Sequence, residues 1–328
     1  MSPSVQLLDN FSQKSPSRGF LLFDKDSIIA SIRENTFFSL KSNTMQRNFH
    51  TLLQAKWNEG KMVCVGLDTV YDLIPQCIKT NDVGGSLYEF NKAIINLTYE
   101  HVASYKPNSA FYEQYGLAGL IALEETISYI HAVDPSIPVI DDAKRGDIGN
   151  TNNGYVKSVF DWLWADAITI TPYLGKEANE PFLQRADKGI IILCRTSNPG
   201  AGEFQDLPIA IGKSHVKSLY EIVAENVSQE WNYNNNCLLV VGATFPGELG
   251  IVREIVGDMG ILVPGVGKQG GDLKAVLQNG LNSKGQGLII NSSREVLYAS
   301  KEADFAEAAR AVVIRMNNEI ASAVELVK

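Results

Sequence analysis

The chain is poor in the residues that announce a disulfide scaffold or a metal centre. Its four cysteines, Cys64, Cys77, Cys194 and Cys237, include no C-x-x-C pair and no framework spacing. Reduced, mostly buried thiols are the reading, as in a cytoplasmic protein. The four histidines, His50, His101, His131 and His215, lie far apart without H-E-x-x-H or similar ligand spacing, so no metal site is expected. No uninterrupted apolar run approaches the ~18 residues of a membrane-spanning helix, which excludes an integral helical membrane protein. Positive charge is scarce as well. A net charge of -8 with no basic run argues against a nucleic-acid surface, and a phosphorylated ligand would need locally gathered cations.

Residues 1–44 are polar and Ser-rich, with apolar pieces at 20–23 and 28–32 that Asp24, Lys25 and Asp26 interrupt. That break is wrong for a signal peptide, and Asp9, Asp24, Asp26 and Glu34 count against a transit peptide. The expectation is a short N-terminal extension over 1–44, with Met45 an alternative natural start, followed by one domain over 45–328. At 45% hydrophobic, 328 residues suffice for one large core, and α/β barrels of about 250 residues form single domains.

What is present is a regular alternation. Short apolar runs stand at 62–65, 103–105, 137–140, 167–170, 189–193, 238–241, 261–263 and 288–290. Segments of helical periodicity follow each, at about 86–102, 117–132, 152–164, 176–186, 214–230, 247–257, 271–280 and 302–326. A doubly wound sheet would give the same alternation, but eight units in this length fit a closed α/β (β/α)8 TIM barrel better.

A barrel of this kind carries its active site at the C-terminal ends of its strands. Here those ends hold Asp68, then Lys106 and Asn108, then Asp142 and Lys144, then Thr196, Ser197 and Asn198. The segment DAKRGDIGNTN, residues 142–152, places two carboxylates and an ammonium within six positions after an apolar run. If the strand continues, Asp142 and Lys144 share a face, while Asp147 lies beyond it. An isolated D-x-K-x-x-D also suits a solvated salt-bridge loop. The seventh run leads into PGVGKQGGD, 264–272, and the eighth into Asn291, Ser292, Ser293 and Arg294. Glycines there permit close approach to an anion and Arg294 adds a charged fork, which favours a phosphate site over a plain tight turn.

As a set these residues resemble the orotidine 5'-phosphate decarboxylases, which convert orotidine monophosphate (OMP) to UMP. The resemblance rests on VGLD (65–68), KPN (106–108), DDAKRGDIGNT (141–151), RTSNPG (195–200), PGVGKQGGD (264–272) and the Asn-Ser-Ser-Arg run ending at Arg294, covering 61 to about 300. The form DAKRGDIGxT with Asn108 looks like a branch that includes many bacterial and apicomplexan enzymes. The resemblance implies that Lys144 is the proton donor and Asp142 its neighbour beside the scissile carboxylate. It implies a homodimer in which Asp147, Ile148 and Thr151 enter the partner's active site. Asp68, Lys106 and the imported Asp147 and Thr151 would hold the ribose, with Asn108 near the pyrimidine and Ser197 on its polar edge. Gln269 and Arg294 would bind phosphate, and Pro264 and Ser293 would complete the substrate site. No cofactor is implied. Two features depart from the family pattern: the extension before Met45, and Lys268, expected to face solvent, where a small residue is common. The Gly- and Pro-bearing segment 198–212 is the candidate lid. Related barrels acting on sugar phosphates share the D-x-K-x-x-D strand end but use magnesium; KPN and QGGD with Arg294 favour the nucleotide enzyme. A catalytically silent nucleotide sensor is disfavoured by the complete set of charged residues.

Overall fold

The computed structural model describes residues 47–212, 215–266 and 272–327. The extension expected over 1–44, and Lys268 and Gln269 of the expected phosphate loop, lie outside the described residues. Eight parallel strands form one sheet: β1 Val63–Leu67, β2 Ser104–Pro107, β3 Ile140–Arg145, β4 Ala167–Ile170, β5 Gly189–Arg195, β8 Cys237–Val241, β9 Ile261–Pro264 and β10 Leu288–Ser292. Two further strands, β6 Pro208–Ile211 and β7 His215–Ser218, make a separate antiparallel hairpin. The large sheet runs in the order β2-β1-β10-β9-β8-β5-β4-β3. A single parallel bridge between Tyr105 and Val139 joins its two ends, closing the (β/α)8 barrel.

These segments form strands because both of their faces are covered, one by the barrel interior and one by helices. Every residue of β1, β8 and β10 is buried, which is why they read as apolar runs without alternation. Expected and observed strands overlap for seven of the eight runs almost residue for residue. The third differs. The run 137–140 only begins it, and β3 extends through the charged residues to Arg145, so Asp142 and Lys144 lie within the strand and not after it.

The sequence reading missed the helix Phe49–Asn58. Asn48 caps it by accepting from the Thr51 amide, and Phe49, Leu53 and Trp57, one turn apart, are buried. Phe49 packs against Gly189 and the Trp57 indole donates to the Leu288 carbonyl at 2.8 Å, both at the starts of strands. The helix therefore closes the end of the barrel opposite the strand C-termini. The helix expected at 214–230 is instead the second arm of the hairpin followed by the helix Leu219–Asn226, which Ser218 and Glu221 cap reciprocally. The candidate lid, 198–212, holds short helical turns over Pro199–Ala201 and Gly202–Gln205 that lead into β6. The last expected helix, 302–326, is Phe305–Val327, and a short additional helix, Arg294–Leu297, precedes it. No helix among the described residues is long and apolar enough to cross a membrane.

Candidate active site

At the C-terminal rim, four charged side chains from three neighbouring strands form a chain of alternating sign. The Lys106 ammonium lies 4.0 Å from Asp68 and 2.7 Å from Asp142 Oδ2, and Lys144 lies 2.7 Å from Asp142 Oδ1. Asn108 Nδ2 donates to Asp142 Oδ2 at 3.3 Å and Thr169 Oγ1 donates to Oδ1 at 2.9 Å. Asp142 thus receives four donors, about as many as a carboxylate can accept.

Burial alone would push the Asp142 carboxyl up, but the flanking ammoniums of Lys106 and Lys144 outweigh it and hold the group well below the usual carboxylate range. Lys106 is the reverse case: burial works against its charge, and Asp142 and Asp68 restore it, leaving its pKa above the ordinary lysine value. Asp142 and Lys106 are therefore both ionised at neutral pH. Lys144 differs in setting, because its side chain is 48% exposed while that of Asp142 is 11% exposed. Its ammonium is anchored by Asp142 yet open to the mouth of the barrel.

A pocket beside this array is lined by Asp68, Lys106, Asp142, Pro264, Ser293 and Arg294, together with Asn291. The glycine at 66 makes this possible. A Cβ there would fall 2.0 Å from Ser293 Oγ and 3.0 Å from Asn291 Oδ1, so β1 and β10 can approach only without it. Asp68 Oδ1 and Asn291 Oδ1 are buried acceptors with no donor among the described residues. Arg294 is exposed at the pocket edge and makes no ion pair among the described residues. Ser197 follows β5 and rests against Gly242, where a Cβ would come within 2.6 Å of it.

Asp147, Ile148 and Thr151 do not join the array. The Asp147 carboxylate accepts from the Ile148 amide at 2.7 Å and makes no ion pair among the described residues. Ile148 is 62% exposed and Thr151 is exposed. Buried Asn152 fixes this segment: its side-chain carbonyl accepts from the Asp147 amide, and its NH2 donates to the carbonyls of Asp147 and Ala178. None of the three bonds to the array: Asp147 and Ile148 lead into the helix Gly149–Val156, and Thr151 stands exposed in its first turn.

A family model for orotidine 5'-phosphate decarboxylase / HUMPS matches residues 61–312. The chain belongs to that family. It is 45% identical over 274 residues to the orotidine 5'-phosphate decarboxylase of Cellvibrio japonicus, covering 83% of this chain and 98% of the relative. Among solved structures, UMP synthase of Leishmania donovani superposes with a TM-score of 0.73 at 40% identity, covering 84% of this chain but only 56% of that longer one. OMP decarboxylase of the same organism superposes with a TM-score of 0.70 at 38% identity, covering 83% and 98%.

Sequence reasoning missed two polar groups that this decarboxylase-family site contains. Asn291 stood in a run from which only Ser293 and Arg294 were assigned to the site. Thr169 sits inside the apolar run 167–170, where a threonine reads as an ordinary strand former, and only the bonds to Asp142 and Lys144 mark it.

Proposed function

We propose that the chain decarboxylates OMP to UMP and CO2, a step of pyrimidine biosynthesis, with Lys144 as the group that meets the developing carbanion. Family membership and the named relatives support the reaction. The division of labour rests on one observation above the others: Lys144 is a half-exposed ammonium fixed by a carboxylate that two cations keep ionised.

The C6–carboxylate bond breaks and its electron pair stays on C6, where no adjacent carbonyl can take the charge. A fixed ammonium stabilises that pair more strongly than it stabilises the substrate, which lowers the barrier, and its proton then passes to C6 to complete UMP. Lys144 is left neutral and regains a proton from water. Preorganised charge accounts for this role without a cofactor. Asp142 and Lys106 hold the lysine in place; Asp68, with an unfilled acceptor, suits a ribose hydroxyl; Arg294, with Gln269, suits the phosphate; Ser197 and Asn108 suit the pyrimidine, and Pro264 and Ser293 the wall.

The working unit in this reading is a homodimer in which Asp147, Ile148 and Thr151 complete the partner's site. The absence of any bond from these residues to their own chain's array supports this, as do exposed Ile148, Tyr173 (82% exposed) and Leu174 on the segments that follow β3 and β4, apolar surface of the kind that interfaces cover. Residues 45–328 make up the catalytic domain, with 1–44 an appendage. Four free cysteines suit a cytoplasmic location.

The test is the ultraviolet absorbance of OMP with purified protein in excess EDTA, beside Lys144→Ala. Conversion by the wild type and loss of at least about a thousandfold in the variant, with UMP still bound, are expected of a group that acts in the transition state. Substantial turnover by Lys144→Ala would remove the lysine from the chemical step.

A further inference from the structure

Opposite the charged array, β3 does not follow β4 in regular register. Asp141 pairs with Ile168 and Arg145 with Ile170, so the three residues 142–144 face the single residue Thr169. Bulges of this kind re-aim side chains and leave ladder groups unpaired. Here Lys144 takes a positive φ of 48°, a conformation that non-glycine residues rarely adopt and that persists only where neighbours enforce it.

The enforcing group is the Thr169 hydroxyl. It accepts from the Lys144 amide at 3.0 Å, replacing the lost ladder bond, and donates to Asp142 Oδ1 at 2.9 Å. Because the amide can only donate, the hydroxyl proton is directed to the carboxylate. The same Oδ1 receives the Lys144 ammonium at 2.7 Å. Backbone and side chain of Lys144 are thus tied to one carboxylate oxygen and one hydroxyl. Thr169 is buried and β-branched, which restricts its χ1 and holds the anchor in place.

We propose that Thr169 is a positioning residue for decarboxylation: its hydroxyl spans the β3 bulge and sets where the Lys144 ammonium stands relative to Asp142. The proposal rests on the catalytic reading of Lys144 given above. It assigns Thr169 no contact with substrate, so its removal should affect turnover and not ligand affinity.

Thr169→Val keeps size and branching while removing both bonds. Loss of a hydrogen bond to a charged group, together with a freed backbone, corresponds to a fall in kcat of about 10- to 100-fold, with UMP affinity unchanged. Thr169→Ser retains the hydroxyl and should recover turnover to within about threefold of wild type. Thr169→Ala removes the same hydroxyl and carries the test where the valine variant does not fold. Wild-type kcat in a folded variant lacking the hydroxyl would overturn the proposal, and so would a serine variant as slow as valine. Lys144→Ala measured in parallel separates the two ideas. Turnover by that variant overturns the catalytic reading itself, whereas an inactive Lys144→Ala beside a fully active Thr169→Val overturns only the role of Thr169.

Discussion

Adjacent aspartates on β3 meet opposite fates because they point to opposite sides of the strand. Asp142 faces two ammoniums and stays ionised. Asp141 is buried behind it, and burial pushes its carboxyl up to about 6 despite a hydrogen bond from Ser109 and the charge of Arg145; the nearby charges of Asp142 and Glu113 add to the rise. Over the range from about pH 4 to 6 the native state therefore keeps a proton that the unfolded chain has released, and stability falls as pH rises, by up to about 3 kcal/mol once both forms are ionised. Asp142 contributes in the other sense. Its stabilisation is present above the unfolded carboxyl pKa and is lost as pH falls below it. Asp141→Asn removes the first effect and leaves the second, so the variant should gain stability over wild type between pH 4 and pH 7. Urea unfolding at both values checks this; a difference independent of pH would mean that Asp141 titrates as an ordinary carboxyl.

Individual elements show where sequence alone suffices and where it does not. Strands such as β5 and β8 were legible because burial on both faces leaves only apolar residues to write. Asp68, Lys106, Asp142 and Lys144 were legible because charge at the end of such runs has no structural use in a core. The hairpin was not, since its strands are only four residues each and largely exposed, with no buried face to impose an alternation. Nor was the bulge in β3, which depends on what lies opposite it. The helix Phe49–Asn58 was missed because its three core residues stand among polar ones; their weight appears only in the contacts with Gly189 and Leu288. Trp57→Ala should cost about 3–5 kcal/mol, the range for truncating a buried large aromatic, with a further penalty for the unpaired Leu288 carbonyl. Because the helix lies at the far end of the barrel, kcat of the folded variant should stay near wild type. A large fall in kcat without a fall in melting temperature would show that the far end is coupled to the site.

The molecule as a whole separates a stabilising end from a reacting end. At the strand starts, buried Asp166 accepts from Arg47 at 2.7 and 2.8 Å, pairs with His131 at 3.2 Å and accepts from the Val139 amide, a closed network without access to the mouth. At the strand ends stand the four charged side chains of the array, and Asp147, Ile148 and Thr151 make no bond to it. The proposed sharing of the site between two chains makes a sharp demand on assembly. Asp142→Ala and Asp147→Ala homodimers would each be inactive, every site lacking one group. In a heterodimer, one site receives both lesions and the other receives none. An equimolar mixture that exchanges subunits freely is half heterodimer by statistics, with one intact site each, so it should recover about one quarter of wild-type activity per chain. Activity that stays at the level of the separate variants, once subunit exchange is demonstrated by mass or by fluorescence transfer, would mean that each chain builds its site alone. Asp147 would then have to turn inward on substrate binding, against the anchorage that Asn152 gives its loop.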